Sequence, residues 1–368
     1  MYSQQELDDA VAAGVLTPAA AEAFRAHVEG QRSSVIADEE QFRLLTGFND
    51  IFVSIAAVIL LFAVGWIGQS IGSGLGIAVE GDGPSLLAPL AIAATAWGLA
   101  LFFTAKRRMA LPSIILLLAF VGGILLTVAF GVTSLIGTET LENNPALGGV
   151  VAAVSGIVAA AAAWVHWRTF RVPITVAAGT AAAAGMVVGV IMAIFGERLE
   201  DAQNLVLGIV LLLGIGVFLF AMWWDSSDRA RLTRRSDVAF WLHLLAAPMI
   251  IHPVFTLLGL NDGNATIGEG LVVIALYVVI GITALAIDRR ALLVSALAYV
   301  LYALTELFKQ FGAVELNVAL TALVIGSALL MLSAFWHQSR RAIVVRLPEA
   351  LRDKLPIVDR PATMPQPA

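Results

Sequence analysis

The chain has 368 residues, of which 59% are apolar and only 13% are charged, and its mean hydropathy is +0.89. Soluble globular domains are about half apolar and a quarter charged, so this composition excludes a disordered protein and a soluble enzyme and predicts a chain that lies in lipid. The net charge of −5 argues against a nucleic-acid partner, because such partners bind strongly basic surfaces. The absence of cysteine excludes disulfides, thiol nucleophiles and cysteine-ligated metals.

The N-terminal segment is polar and carries helix start and stop signals. Ser3 and Glu6 have the spacing of a capping box, Gly14 suits a helix end, and Thr17 precedes a proline at a second start. We therefore expect a helical hairpin over residues 3–29. A hairpin of this size buries too little surface to fold firmly alone, so we expect it to dock on the membrane face, on the stretch that follows it, or on a cytoplasmic partner protein. The polar start also predicts that no cleavable signal peptide is present.

Ten apolar stretches follow, each close to the roughly 20 residues that a helix needs to cross the hydrocarbon core. The expected spans are 51–71, 86–105, 112–136, 147–166, 172–195, 204–224, 238–259, 269–287, 291–311 and 314–336. The fold class predicted here is an all-α, polytopic transmembrane helix bundle with about ten spans.

The polar breaks between these stretches alternate in charge, which tests the span count independently. One side of the expected bundle holds 20 of the 22 Lys and Arg residues, and the other side holds Arg198 and Lys309 with mostly acidic breaks. Because loops rich in Lys and Arg stay in the cytoplasm, we expect both termini to lie there, in a bacterial inner membrane.

The sequence thus divides into three regions: a hairpin and linker over 1–46, a ten-helix membrane domain over 47–337, and a cytoplasmic segment over 338–368 that ends in a proline-rich tail. In the last region Leu347, Leu351 and Leu355 recur every four residues between cations. This strip is typical of a segment that lies in an anionic headgroup layer.

The last four spans contain polar residues at one depth. In the ninth span, polar side chains fall within about 40° of a common direction, at Ser295, Tyr299, Tyr302, Glu306 and Lys309. Counting about 1.5 Å per residue from the basic side places Glu306, His252 and Asn317 roughly 21–25 Å deep and Tyr277 about 18 Å deep. A carboxylate facing lipid is costly, so this stripe should face the bundle interior or a wet cavity.

The functional interpretation is an outward-facing substrate pocket. In it Glu306 is the charge centre, His252 a titratable partner, and Tyr277, Tyr302 and Asn317 orient a ligand by hydrogen bonds. The alternative is structural: Glu306 pairs with Lys309, the tyrosines make ordinary contacts, and His252 bonds a carbonyl freed by the proline that follows it.

The remaining motifs give no positive evidence for catalysis. His243 and His252 are 180° apart on a straight helix, so they do not share a metal or haem without a break. The sequence contains no arrangement of nucleophile and base, zinc spacing or phosphate-binding loop. We therefore expect no catalytic residues, no metal and no cofactor, and a protein that is not an enzyme.

Three stretches carry a resemblance to a known family. They are ELDDAVAAGVLTPAAAEAF at 6–24, RLLTGFNDIFVSIAAVILL at 43–61 and WHQSRRAIVVRLPEALRDKLP at 336–356. They resemble a bacterial family of multi-span membrane proteins of unknown function with a short N-terminal helical hairpin. The resemblance covers the edges of the chain and implies no activity or site residues.

Two functions remain open from the sequence. One is a small-solute carrier or ligand-binding membrane protein centred on Glu306. The other is a non-catalytic membrane scaffold or sensor that engages a cytoplasmic partner through residues 3–29. An enzyme that acts on lipid or an envelope precursor is a more distant third.

Overall fold

A computed structural model describes residues 11–24, 48–79, 83–199, 203–231, 233–260, 267–310 and 317–358. The chain divides into two units, Met1–Arg43 with Asp359–Ala368, and Leu44–Val358. The parts described are helical, and the strand-like pairing recorded within them is one isolated bridge between Ala78 and Ser85.

Ten apolar helices follow one another in the larger unit, and each coincides with one of the ten expected spans. They are α1 (Phe48–Gly74), α2 (Leu87–Phe103), α3 (Ala110–Ile136), α5 (Pro145–Phe170), α6 (Ile174–Leu199), α7 (Gln203–Ser226), α8 (Arg234–Leu257), α9 (Ile267–Ile287), α10 (Ala291–Gln310) and α11 (Asn317–Ala334). Three short helices complete the described part of this unit: α4 (Thr138–Glu142), α12 (Trp336–Val344) and α13 (Glu349–Arg352).

Seven of these helices are long and apolar enough to cross a membrane: α1, α3 and α5 to α9. An eighth is counted if α11 and α12 form one span, although they are bent by 72°. Helix α2 is shorter, with 17 residues, and α10 has 20 residues, within which the structure describes the apolar stretch Leu292–Thr305. The described residues thus contain seven to eight long apolar helices.

Much of the apolar surface of these helices faces outward. In the most apolar window of each long helix, only 17% to 50% of the residues are buried within the protein. On α1, Phe52 and Trp66 are about two-thirds exposed. Exposed apolar patches of this extent mark a membrane interface, so these are the helices of a membrane protein.

Close packing of α5 on α6 depends on small residues. A Cβ added to Gly156 would lie 2.8 Å from the backbone nitrogen of Met186, and one added to Gly189 would lie 2.5 Å from that of Ala153. Glycine at these positions lets the two backbones approach, which is how membrane helices gain packing energy without a hydrophobic driving force.

Helix α8 is the most buried of the seven long helices and packs against α6, α7 and α10. It contains Pro248 and Pro253 within its length. Its buried face carries Leu242, His243, Ala246 and Phe255. This helix therefore positions both histidines that the sequence analysis singles out.

In the N-terminal unit the structure describes residues 11–24. Gly14 has φ +69°, and the Ala20 N–H donates to the Thr17 hydroxyl oxygen over 3.2 Å. The expected helix end and second helix start thus have the local geometry of a C-terminal turn and an N-cap. Ser3 and Glu6 lie outside the described residues, so the first cap stays a prediction.

Four turns on the basic side of the chain contain a non-glycine residue with positive φ. These are Arg108, Arg171, Arg231 and Asp288, with φ between 53° and 57°. Each follows a long or apolar helix, where a left-handed residue satisfies carbonyls at the helix end. The last two of these turns build the site described below.

Candidate functional site

The structure places His252 beside Tyr299. His252 Nδ1 lies 2.6 Å from the Tyr299 hydroxyl oxygen, and the Phe255 ring stacks 4.5 Å from the Tyr299 ring. His252 itself is exposed on α8. The sequence placed Tyr299 on the polar stripe but did not include it among the pocket residues. His252 therefore contacts the tyrosine that lies one helical turn before Tyr302, the expected pocket residue.

Tyr277 and Tyr302 are partly buried in the described structure, on α9 and α10. The Tyr277 hydroxyl oxygen is buried and has no hydrogen-bond partner among the described residues. The Tyr277 residue lines an apolar cleft rather than a polar pocket. Glu306 and Asn317 lie on α10 and α11, but their side chains are outside what the structure describes. The five-residue pocket therefore stays a prediction.

A buried ion cluster lies elsewhere, at the basic-side ends of α7 and α8, and the sequence analysis missed it. The Arg289 guanidinium donates from Nε to Asp225 Oδ2 over 3.2 Å and from Nη2 to Asp225 Oδ1. His243 Nε2 lies 3.1 Å from the same Oδ2. The side chains of Asp225 and His243 are fully buried, and that of Arg289 is 3% exposed.

Helix geometry explains how these residues meet. Asp225 is near the last residue of α7, and the turn that follows returns the chain antiparallel, so His243 on α8 packs beside it. Arg289 enters from the turn between α9 and α10 and also donates to the Ser236 backbone carbonyl over 3.1 Å. Since a buried charge is tolerated only when it is paired and hydrogen-bonded, the cluster joins three helix ends into one unit.

A second carboxylate, Asp288, lies next to this cluster in the same turn. Arg231 Nη1 donates to its Oδ2 over 2.8 Å and the Trp336 indole N–H to its Oδ1 over 2.7 Å, while Arg340 Nε is 3.7 Å away. Burial raises the pKa of the Asp288 carboxyl, but the charges of Arg231 and Arg340 and the Trp336 hydrogen bond outweigh burial and lower the pKa below its ordinary value.

Backbone carbonyls of the C-terminal segment accept hydrogen bonds from the turn after α7 and from the segment's own helix α12. Arg229 Nε donates to the Leu355 carbonyl over 2.9 Å, and Arg340 Nη2 donates to the Pro356 carbonyl over 2.7 Å. Leu355 and Trp336 are buried in one apolar cluster with residues of α8, α9 and α10, while Leu351 is exposed. Two of the three leucines in the expected headgroup strip, Leu347 and Leu355, thus pack against the protein.

One signal could have found this site. Asp225, Asp228 and Asp288 are acidic residues in breaks that are otherwise basic. Carboxylates that remain beside arginines on the positive side of a membrane protein are candidates for ion pairs. The sequence alone does not give their partners, since Asp225 and Arg289 are 64 residues apart.

Chemically, the cluster is suited to holding helix ends together. Within the described part of the chain, no group of three or more His, Cys, Asp and Glu side chains is placed to hold a metal ion. The sequence-based expectation of no cofactor stays a prediction. The site consists of paired charges, a histidine with a buried Nδ1, and the adjoining apolar cleft.

The fold and site together define a helical membrane protein whose C-terminal helices are joined by buried ion pairs at their basic-side ends. No protein-family model matches the chain, and no curated protein or solved structure shows significant similarity to it. The family resemblance noted in the sequence therefore stays a prediction.

Proposed function

We propose that the chain crosses a bacterial inner membrane ten times, with both termini in the cytoplasm. Three observations support this topology. The ten helices match the ten expected spans, the 17 residues of α2 are within the range of membrane helices, and the left-handed turns at Arg108, Arg171, Arg231 and Asp288 all fall on the basic side. A short or tilted span is tolerated by local thinning of the bilayer.

Within that topology we propose a small-solute carrier or ligand-binding protein that is not an enzyme, with its pocket in α8 to α11. The observation that carries this proposal is the Asp225, His243 and Arg289 cluster. It closes the basic-side ends of the helices that bear the polar level, so a solute would reach that level from the acidic side. Ionisable groups buried between membrane helices are costly and typically functional.

In a carrier the ion cluster acts as the inner gate. Alternating access requires the basic-side ends of the helices to separate when the pocket opens toward the cytoplasm. Separation of Asp225 from Arg289 would leave two buried charges unpaired unless water enters at the same time. The carrier proposal therefore requires two arrangements of the cluster, the dry and paired one of the structure and a second one that is open and hydrated.

The test uses single cysteines, because the chain has none of its own. The variant Glu306→Cys is treated with a membrane-impermeant maleimide in sealed right-side-out and inverted vesicles. A pocket open to the acidic side gives modification from that face alone. Leu323→Cys, on the exposed middle of α11, is the lipid-facing control and stays unmodified from both faces, and Arg341→Cys reacts from the basic face alone.

The outcomes separate topology from function. Modification of Arg341→Cys from the acidic face refutes the orientation. Failure of Glu306→Cys to react from the acidic face, with both controls as expected, refutes the pocket alone. Addition of Asp225→Asn to Glu306→Cys distinguishes a carrier from a static receptor, since an opened gate makes the introduced thiol reactive from the basic face.

The alternative function is a scaffold or sensor that binds a cytoplasmic partner through residues 3–29. The observation that favours it is the exposure of apolar side chains in the described residues 11–24, where Val15 is 77% exposed. The two functions separate by phenotype. Loss of the phenotype on deletion of residues 1–32, with Glu306→Gln and His252→Ala silent, supports the scaffold and contradicts the carrier.

A further inference from the structure

An apolar cleft of about 120 Å³ adjoins the ion cluster between α9, α10 and α11, and it shares Tyr277 with the proposed solute pocket. Leucines form its walls, among them Leu293, Leu297 and Leu329. Tyr277 lines it on α9, and Arg290 and Trp336 line it at the basic side. We propose that this cleft takes up a section of one acyl chain of an anionic phospholipid whose headgroup lies at Arg290.

The depth of the cleft fits one leaflet of a bilayer. Tyr277 precedes Ile287, the last residue of α9, by ten residues, or about 15 Å of helix. The hydrocarbon core of a bilayer is roughly 30 Å thick, so one leaflet is about as deep as the cleft. Val294, another lining residue, is 66% exposed, which shows that the cleft opens sideways to the surface that faces lipid.

Charge decides which lipid the cleft favours. Arg290 lies with its guanidinium carbon 4.8 Å from the centre of the Trp336 ring, so its charge is held at the mouth of the cleft. The neighbouring Arg289 and Arg231 are held by Asp225 and Asp288, which fixes the turn that carries Arg290. Basic pockets between membrane helices bind anionic headgroups, and interfacial tryptophan lies at headgroup level.

Among the lining residues, Tyr277 lies farthest along its helix from the basic side, so it marks the far end of the cleft. An uncharged lipid would fill the same walls but would gain nothing from Arg290, so headgroup preference is the property that tests the proposal.

The experiment measures lipid binding by native mass spectrometry of the full chain in detergent. Phosphatidylglycerol and phosphatidylcholine with identical oleoyl chains are titrated separately, and the first bound lipid is counted. Wild type should prefer phosphatidylglycerol roughly fivefold, the ratio expected for one basic residue near the surface. Arg290→Gln should reduce the ratio to about one, and Arg290→Lys should retain most of it.

The matched control is Arg168→Gln. Arg168 also stacks on a tryptophan, 5.2 Å from the centre of the Trp164 ring, but neither residue lines the cleft. This variant should keep the wild-type ratio. Leu297→Trp fills the cleft and should remove the first bound lipid of both kinds, and its gel-filtration profile shows whether it has folded.

Three results would overturn the proposal. The first is equal binding of the two lipids by wild type, and the second is an equal loss of preference in Arg168→Gln and Arg290→Gln. The third is a folded Leu297→Trp variant that keeps the first lipid. The proposed lipid binding requires only that these helices lie in a bilayer. Its test is therefore independent of the thiol reactivity that tests the carrier.

Discussion

Replacement of Asp225 by asparagine tests whether the ion cluster holds the helix ends together. Asparagine has nearly the same shape as aspartate but no charge, so Asp225→Asn leaves the Arg289 guanidinium buried with its counter-ion removed. Both side chains are almost completely inaccessible, and the contacts that Arg289 keeps include the backbone carbonyl and the hydroxyl of Ser236. Removal of one member of a buried ion pair costs about 3–5 kcal/mol, and we expect a loss of stability in this range.

The assay is reversible unfolding of the purified chain in mixed micelles, titrated with a denaturing detergent and followed by the fluorescence of its eight tryptophans. A second variant separates charge from packing. In Asp225→Asn with Arg289→Gln, both charges are gone and neutral amides replace them, so at least half of the lost stability should return. This recovery is a coupling between the two positions, which unrelated sites do not show.

The control removes an ion pair at the surface. Glu349 and Arg352 are 3.6 Å apart, with side chains 87% and 41% exposed. Glu349→Gln should change stability by less than about 1 kcal/mol, because exposed pairs contribute little. If Asp225→Asn has an effect as small as this control, or if the double variant is as unstable as the sum of its singles, the cluster does not hold the helix ends as argued.

Three further predictions concern pH, packing and backbone strain. The ion pairs of Asp288 hold the pKa of its carboxyl below the ordinary value, so they stabilise the fold above about pH 4. This contribution is lost as the pH falls through the lowered pKa. Unfolding titrations should therefore show that wild type loses more stability below pH 4 than Asp288→Asn does. Gly189→Ala should lower stability by about 1–3 kcal/mol, whereas Gly185→Ala, where the added Cβ meets open space, should raise it by about 0.5–1 kcal/mol in the same assay. Arg108→Gly should raise the unfolding midpoint by relieving about 1 kcal/mol of left-handed strain, while Arg107→Gly, one residue earlier, should lower it, and equal shifts would contradict this explanation.

The helices were predictable because the bilayer imposes one dominant requirement on sequence. About 20 apolar residues with polar ends define a span, and each helix from α1 to α11, apart from the short α4, coincides with such a stretch. Length was predicted less well for the second span, where the expected stretch 86–105 corresponds to a helix of 17 residues, Leu87–Phe103.

The contacts within the site were not predictable, for a physical reason. A polar stripe defines a direction around a helix to within about 40°, which does not decide between two residues one turn apart. His252 therefore contacts Tyr299, although the sequence predicted a pocket that contains Tyr302. The rotation and height of α8 against α10 decide this pairing, and they depend on the packing of all the neighbouring helices.

The turn at residues 288–290 shows most clearly what hydropathy leaves out. In the sequence it is a short charged break that separates two spans, and its three residues have no evident difference in role. In the structure Asp288 binds Arg231 and Trp336, Arg289 fills the ion cluster, and Arg290 lies at the mouth of the apolar cleft. The left-handed conformation of Asp288 makes this divergence sterically feasible, because it reverses the chain within one residue. The ion cluster, the C-terminal segment and the cleft thus depend on one backbone turn, so a ligand or lipid that moves this turn acts on all three.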